Sequence, residues 1–168
     1  MNVGSDVHRG LQPCRPHCLV DAPLGRGDGA DHVVGGDLAA AEFGDVAPVK
    51  EFAEVAHKHG AHLYLDEAHS FGVYGENGRG VAEADGVMNE VDFYSGTFSK
   101  SLGSIGGFVA SNHPELEYLR FSSRPYMFTA SPAPANIATA AATLKHVAND
   151  ASLRERLWSN AARIHGAF

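Results

Sequence analysis

Lys100 sits in the run Gly96-Thr97-Phe98-Ser99-Lys100-Ser101-Leu102-Gly103-Ser104-Ile105-Gly106-Gly107-Phe108, flanked by serines, with no carboxylate in the run to pair with it. A lysine on a soluble helix is ordinarily a solvated charge, whereas this setting leaves an amine open to a ligand. Glycines let backbone approach a bound group, and clustered hydroxyls and amides can hold a phosphate. Partial desolvation would favour the neutral, nucleophilic amine and Schiff-base chemistry. A flexible Ser/Gly turn leading into a strand over 107–110 has the same composition, so this segment alone leaves both readings open.

A second segment, His62-Leu63-Tyr64-Leu65-Asp66-Glu67-Ala68-His69-Ser70-Phe71-Gly72, decides between them. Its apolar run over 63–66 has strand length and delivers Asp66, Glu67 and His69 at its C-terminal end. Open α/β sheets place their ligand sites there. A carboxylate and an imidazole are thus added to the amine.

The elements that must position these groups follow in chain order. Val49, Phe52, Ala53 and Ala56 recur at i, i+3, i+4 and i+7, and Asp45, Pro48 and Gly60 supply start and stop signals, so a helix is predicted over 48–59. His57 and His59 fall on different faces of it, which does not suit a metal. The 63–66 strand follows, then a glycine-rich loop through Gly80, a strand over 91–94, the lysine loop and the 107–110 strand. A short helix is expected over 114–122 with Glu115, Glu117 and Arg120 solvated. After Pro134 an apolar stripe of Ile137, Ala140, Ala141, Leu144 and Val147 predicts a long helix. Asn149-Asp150 breaks it, and Leu153, Leu157, Ala161 and Ile164 continue on a second. Core packing is the simplest use of that stripe, a partner interface the other. Helix-then-strand order points to a layered α/β domain.

The chain of 168 residues is long enough for one domain with a core, and 44% hydrophobic content is ordinary for a globular protein. Thirteen basic against 20 acidic residues, a formal charge of −7, argue against a nucleic-acid-binding surface. No apolar stretch approaches the roughly 20 residues needed to span a bilayer, and a cytoplasmic location is the default. Cys14, His17 and Cys18 form a single Cys-x-x-His-Cys cluster without a second ligand pair, so no metal is assigned.

The succession Asp66-Glu67-Ala68-His69-Ser70-Phe71-Gly72-Val73, Gly75-Glu76-Asn77-Gly78-Arg79-Gly80 and Gly96-Thr97-Phe98-Ser99-Lys100 resembles the α-oxoamine synthase family of pyridoxal-phosphate enzymes. The resemblance runs from about Gly44 to the C-terminus. It implies an α/β fold, part of the large domain of the aspartate-aminotransferase (fold type I) architecture. Ser111-Asn112-His113-Pro114 and Arg124-Pro125-Tyr126-Met127-Phe128-Thr129-Ala130-Ser131 look most like the members that use serine and a long-chain acyl-CoA; glycine- and alanine-using members share the core motifs.

By this resemblance Lys100 would carry pyridoxal 5'-phosphate as a Schiff base and then act as general base at the substrate α-carbon. Asp66 would pair with the pyridine nitrogen, and Ala68 would pack on a ring face. His69 would hydrogen-bond the ring oxygen or the substrate carboxylate. Thr97 and Ser99 would hold the phosphate or ring hydroxyl, and Thr129 a phosphate of the neighbouring subunit in a homodimer. Glu67 is left as structural. The implied reaction is a decarboxylating condensation of an amino acid with an acyl-CoA.

Two rivals are weighed. Asp-Glu-Ala-His is also the metal-binding box of one ATP-dependent helicase family, but the required Gly-Lys-Ser or Gly-Lys-Thr phosphate loop does not occur. A non-catalytic fragment or partner subunit is the other. Residues 1–43 lack lysine, tyrosine and any sustained period, so they read as irregular, and Ala41 stands where relatives carry a cofactor-touching serine. A broken reading frame or truncated gene is the expectation there. The short chain is accordingly expected to turn over poorly by itself.

Overall fold

The computed structural model describes residues 20–21, 33–37 and 46–167. Five strands form one sheet in sequence order: β1 (Val20–Asp21), β2 (Val33–Asp37), β3 (His62–Asp66), β4 (Phe93–Thr97) and β5 (Gly107–Ser111). Strands β2, β3 and β4 are parallel, while β1 and β5 run antiparallel to their neighbours. Parallel neighbours need a crossover. Helix α1 (Val49–Lys58) lies between β2 and β3, and helix α2 (Val81–Ala84) with a 3-10 turn (Met88–Glu90) lies between β3 and β4.

The core forms where α1 meets β3. Leu63 and Leu65 are fully buried and alternate with half-buried His62, Tyr64 and Asp66. Val49, Ala53 and Ala56, one stripe of α1, share a cluster with both leucines and with Val81, Ala82, Val87 and Val91. Each buried leucine stabilises the fold by roughly 1.5–3 kcal/mol. Helix α1 ends as the sequence predicts, with Gly60 at φ +65° and the Ala61 N–H donating to the Ala56 carbonyl at 2.9 Å.

Four expectations are corrected. The strand placed at 91–94 is Phe93–Thr97. Val91 is spent in the core, and pairing of Thr97 with Gly107 carries the ladder through serine and glycine. Gly96 tolerates no side chain, because a Cβ would come within 2.7 Å of the Phe108 ring. Second, residues 1–43 were expected to be irregular, yet β1 and β2 lie in this stretch, and β2 pairs with β3 from Val33↔His62 to Asp37↔Asp66. A partner strand supplies order that no local period announces. The Cys14-His17-Cys18 cluster, Ala41 and Asp45 lie outside the described residues.

Third, the helix expected over 114–122 begins at Leu116, as α3 (Leu116–Ser122), and a further turn, α4 (Arg124–Met127), follows. Glu115, Glu117 and Arg120 are exposed as expected. Fourth, α5 (Pro134–Asn149) and α6 (Ser152–His165) form with the predicted break, but their apolar stripe is not core. Only Ala140 is buried in α5 and no residue in α6; Ile137, Leu144, Leu153, Leu157 and Ile164 are between 42% and 60% exposed. Among the described residues that face is only partly covered, with Val147, Leu153 and Leu157 lining a cleft, so periodicity located the helices without locating their packing.

Glu67 is the exception to charge on the surface, at 1% exposure. Its two carboxylate oxygens accept the N–H groups of Val81 and Ala82, each at 2.9 Å, and it takes a close hydrogen bond from Ser70 Oγ. Helix α2 has no side-chain cap of its own, so Glu67 satisfies its first donors. Replacing Glu67 with alanine is expected to cost about 1–3 kcal/mol in chemical denaturation, since two buried N–H groups lose their acceptor. Glu67→Gln, which keeps one acceptor oxygen, is expected to cost less; equal losses would mean that packing and not acceptance is what Glu67 supplies.

Candidate active site

Strand β3 ends at Asp66, and the chain turns at once. Asp66 Oδ1 accepts the Ala68 N–H at 2.8 Å, and Glu67 donates its N–H to the Ser95 carbonyl of β4 at 2.8 Å while its own carbonyl accepts from Ser70 and Phe71. The second carboxylate oxygen of Asp66 has no partner among the described residues. His69 follows on the exposed side of this turn.

The loop from β4 to β5 is braced at both ends. Phe98 donates its N–H to the Gly106 carbonyl at 2.8 Å, and its carbonyl accepts from Ser104 at 2.7 Å. Leu102 is 2% exposed and anchors the loop from below. Lys100 starts the turn closed by the Gly103 N–H on its carbonyl at 3.0 Å. Thr97 Oγ1 donates to the Gly106 carbonyl at 3.1 Å, lies 2.7 Å from Ser99 Oγ and accepts the Ser99 N–H at 3.1 Å. The two hydroxyls therefore form a fixed pair at the head of the loop.

The two motifs meet at Gly72. Its φ is +84°, and a Cβ there would come within 2.6 Å of Ser101 Cβ. Glycine is thus required twice over, by backbone conformation and by the approach of the lysine loop. Ala68, His69, Gly72, Lys100 and Ser101 line one cleft of about 240 Å³, closed on its far side by Val147, Asp150, Leu153, Arg154 and Leu157 from the α5–α6 corner.

The structure thus brings Lys100, His69 and Ala68 together on one cleft. Asp66, Thr97 and Ser99 stand outside its lining at the C-terminal ends of β3 and β4, where Asp66 pairs in register with Ser95. Thr129 lies apart, exposed in the segment after α4. The expected partial desolvation of Lys100 is not found: the residue is exposed and takes part in no ion pair among the described residues. The small loop residues that leave room for a ligand also leave room for water. An unpaired amine, a carboxylate with one free oxygen, an imidazole and paired hydroxyls are a donor set that fits a phosphorylated pyridine aldehyde.

The family model described as aminotransferase class I and II matches residues 43–168. The chain belongs to that family. Among curated relatives it is 54% identical over 126 residues to serine palmitoyltransferase of Sphingomonas paucimobilis, covering 75% of this chain and 30% of that protein. It is 43% identical over 125 residues to 8-amino-7-oxononanoate synthase of Anaeromyxobacter sp. (strain K), covering 74% and 31%. A solved serine palmitoyltransferase with PLP as an internal aldimine superposes with a TM-score of 0.77 at 51% identity, covering 80% of this chain and 34% of that one. The chain therefore spans about a third or less of the length of these relatives, as an α/β part of the larger class I and II fold.

Two residues that hold α6 against the cleft escaped the sequence reading. Arg154 Nη2 donates to the Glu76 carbonyl, and Trp158 Nε1 donates to the Val73 carbonyl at 3.0 Å while its ring meets Tyr74 edge-on at 5.3 Å. Together they tie α6 onto the glycine-rich loop and close the cleft. The signal available was a lone tryptophan on a polar helix face. Replacing Arg154 with alanine is expected to loosen this tie by about 1 kcal/mol, moving Trp158 emission to the red and raising its quenching by acrylamide. Arg156→Ala, at an exposed position, is expected to change neither; an unmoved spectrum in Arg154→Ala would remove Arg154 as the tether.

Proposed function

We propose that this chain supplies the lysine-bearing part of a pyridoxal-phosphate-dependent acyltransferase that condenses an amino acid, L-serine in first place, with an acyl-CoA. The observation that carries the reading is the meeting of the two motifs at Gly72 and Ser101, with Lys100, His69 and Ala68 on one cleft. The names of the relatives support it: serine palmitoyltransferase at 54% identity, with 8-amino-7-oxononanoate synthase at 43% supporting an alanine-using alternative.

When bound, the cofactor supplies an electron sink for charge developing at the amino acid's α-carbon. The protein's own groups do the rest. Lys100 would hold the cofactor through its amine and, once free of it, would take the proton at the α-carbon. Asp66 offers its free oxygen to the ring nitrogen and holds a proton there, since a nearby carboxylate favours the charged pyridinium. His69 would hydrogen-bond the ring oxygen or the substrate carboxylate, Ala68 would pack on a ring face, and the Thr97–Ser99 pair would hold the phosphate or ring hydroxyl. The new carbon–carbon bond would join the α-carbon to the thioester carbonyl as CoA leaves and takes up a proton as its thiol; the carboxylate would then depart as carbon dioxide, and Lys100 would return its proton to the α-carbon.

A homodimer and a cytoplasmic location belong to the same proposal. Tyr118, Phe121, Tyr126 and Phe128 are each at least 59% exposed on and after α3 and α4, more apolar surface than a solvated face needs. Thr129 follows directly and would serve a second copy of the chain. No helix among the described residues is long and apolar enough to cross a membrane.

The test is an absorption titration with pyridoxal 5'-phosphate, followed by borohydride reduction and peptide mapping. The chain has four lysines, at 50, 58, 100 and 145, so the label's position is informative. Label at Lys100 alone, abolished in Lys100→Ala, is the expected result, with L-serine perturbing the band more than L-alanine or glycine. Equal labelling of all four lysines would count for the non-catalytic reading, and a larger response to L-alanine for the synthase alternative.

A further inference from the structure

At the opposite end of the sheet from Lys100, three ligating side chains converge on one point. His62 opens β3, Asp92 immediately precedes β4, and His113 stands two residues beyond the end of β5. Asp92 Oδ1 lies 2.8 Å from His113 Nε2 and 3.2 Å from His62 Nδ1, and one ligand atom from each of the three lies within 4.8 Å of the others. We propose that His62, Asp92 and His113 form a binding site for a divalent transition-metal ion, zinc in the first instance, separate from the cofactor cleft.

The donor set is right for zinc, which takes imidazole nitrogen and carboxylate oxygen and completes a tetrahedron with water. Bonds of about 2.0–2.2 Å put tetrahedral ligand atoms roughly 3.3–3.6 Å apart. The two carboxylate–imidazole distances already lie near that spacing, and rotation of the two rings, whose centroids are 4.8 Å apart, brings the remaining pair in. In the metal-free arrangement two ring nitrogens share one carboxylate oxygen through their protons. Zinc replaces those protons, each ring staying neutral with its hydrogen on the other nitrogen.

The surroundings hold the ligands in place. Asp92 Oδ2 accepts the Leu63 N–H at 2.7 Å, leaving Oδ1 for a metal. Ser111 Oγ donates to the Asp92 carbonyl at 2.6 Å and accepts the His113 N–H at 2.9 Å, which fixes the histidine-bearing segment to the start of β4. The His113 ring stacks on Phe93 at 5.2 Å, and its other nitrogen lies 3.9 Å from Glu115, a carboxylate placed to orient it. Side-chain exposures of 43%, 17% and 33% for His62, Asp92 and His113 leave an open way in and a coordination position for water. His57 is not one of the three: its Nδ1 pairs with Glu90 at 3.2 Å and its Nε2 stays 3.9 Å from Asp92.

The test titrates the full chain, with Cys14→Ser and Cys18→Ser so that the thiols contribute nothing, with zinc by calorimetry and with cobalt by visible absorption. One equivalent of zinc, a tetrahedral cobalt spectrum with nitrogen and oxygen ligands, and a rise in unfolding temperature with zinc are expected. His62→Gln and His113→Gln, checked for folding by circular dichroism, are each expected to weaken binding at least about tenfold, while His57→Ala and Lys100→Ala leave it unchanged. Absence of binding by the folded chain, or undiminished binding in both glutamine variants, would overturn the proposal and leave the cluster as a hydrogen-bonded brace.

Discussion

A carboxylate closed off from water fixes the geometry on which the candidate active site depends. Glu67 is at once the residue after β3, the backbone donor to β4 through the Ser95 carbonyl, and the acceptor for the first N–H groups of α2. A buried charge is tolerated only where hydrogen bonds replace its hydration. Here three side-chain acceptances do so, one from Ser70 of the same turn and two from the start of α2, which is thereby drawn against the turn. The turn that presents Asp66, Ala68 and His69 is therefore not free to relax. Its charge is also felt by Tyr94, whose hydroxyl is pushed up to about 12, first by burial and then by Glu67, and which stays a proton donor to the Met88 carbonyl.

Against that fixed turn the lysine loop is held by shape and not by charge. Gly72 admits Ser101, Gly96 admits the Phe108 ring, and Leu102 fills the space beneath. Small residues let the two loops approach closely. The same economy leaves Lys100 without a low-dielectric wall on its open side. A reactive amine in this position depends on what occupies the cleft for its desolvation.

What the sequence could disclose follows from how local each determinant is. The amphipathic stripe of α1, the alternation along β3 and the break at Asn149-Asp150 are written within a few residues and are found in place. The gathering of Lys100, His69 and Ala68 on one cleft was legible because those residues sit in motifs whose spacing is tied to a family. The extension of β4 through Gly96 to Thr97 was not, since it depends on pairing with β5 and on the Phe108 ring. Nor was β2, whose order comes from β3. The exposure of the α5–α6 stripe was illegible for the opposite reason: a hydrophobic period states that a helix has a partner without stating that the partner lies in the same stretch of chain. Arg154, Trp158 and the His62–Asp92–His113 cluster join segments tens of residues apart, which no window along the sequence contains.

Strand β3 links the two ends of this arrangement. Its period of two sets His62, Tyr64 and Asp66 on one face and Leu63 and Leu65 on the other, so His62 and Asp66 share a face while the leucines bind the strand to α1. Four residues of extended chain separate His62 from Asp66 by about 13 Å. At one end Asp92 receives the Leu63 N–H and both imidazoles; at the other Glu67 receives α2. Each terminus of the strand is thus tied by a carboxylate to backbone from a different segment, and between the ties lies the most deeply buried part of the core. A strand anchored in this way has little freedom to shift in register, and a one-residue shift would turn Asp66 away from the face it now shares with His62. The position of Asp66 beside the lysine loop is therefore set as much by the polar brace at the far end of β3 as by the motif that contains it.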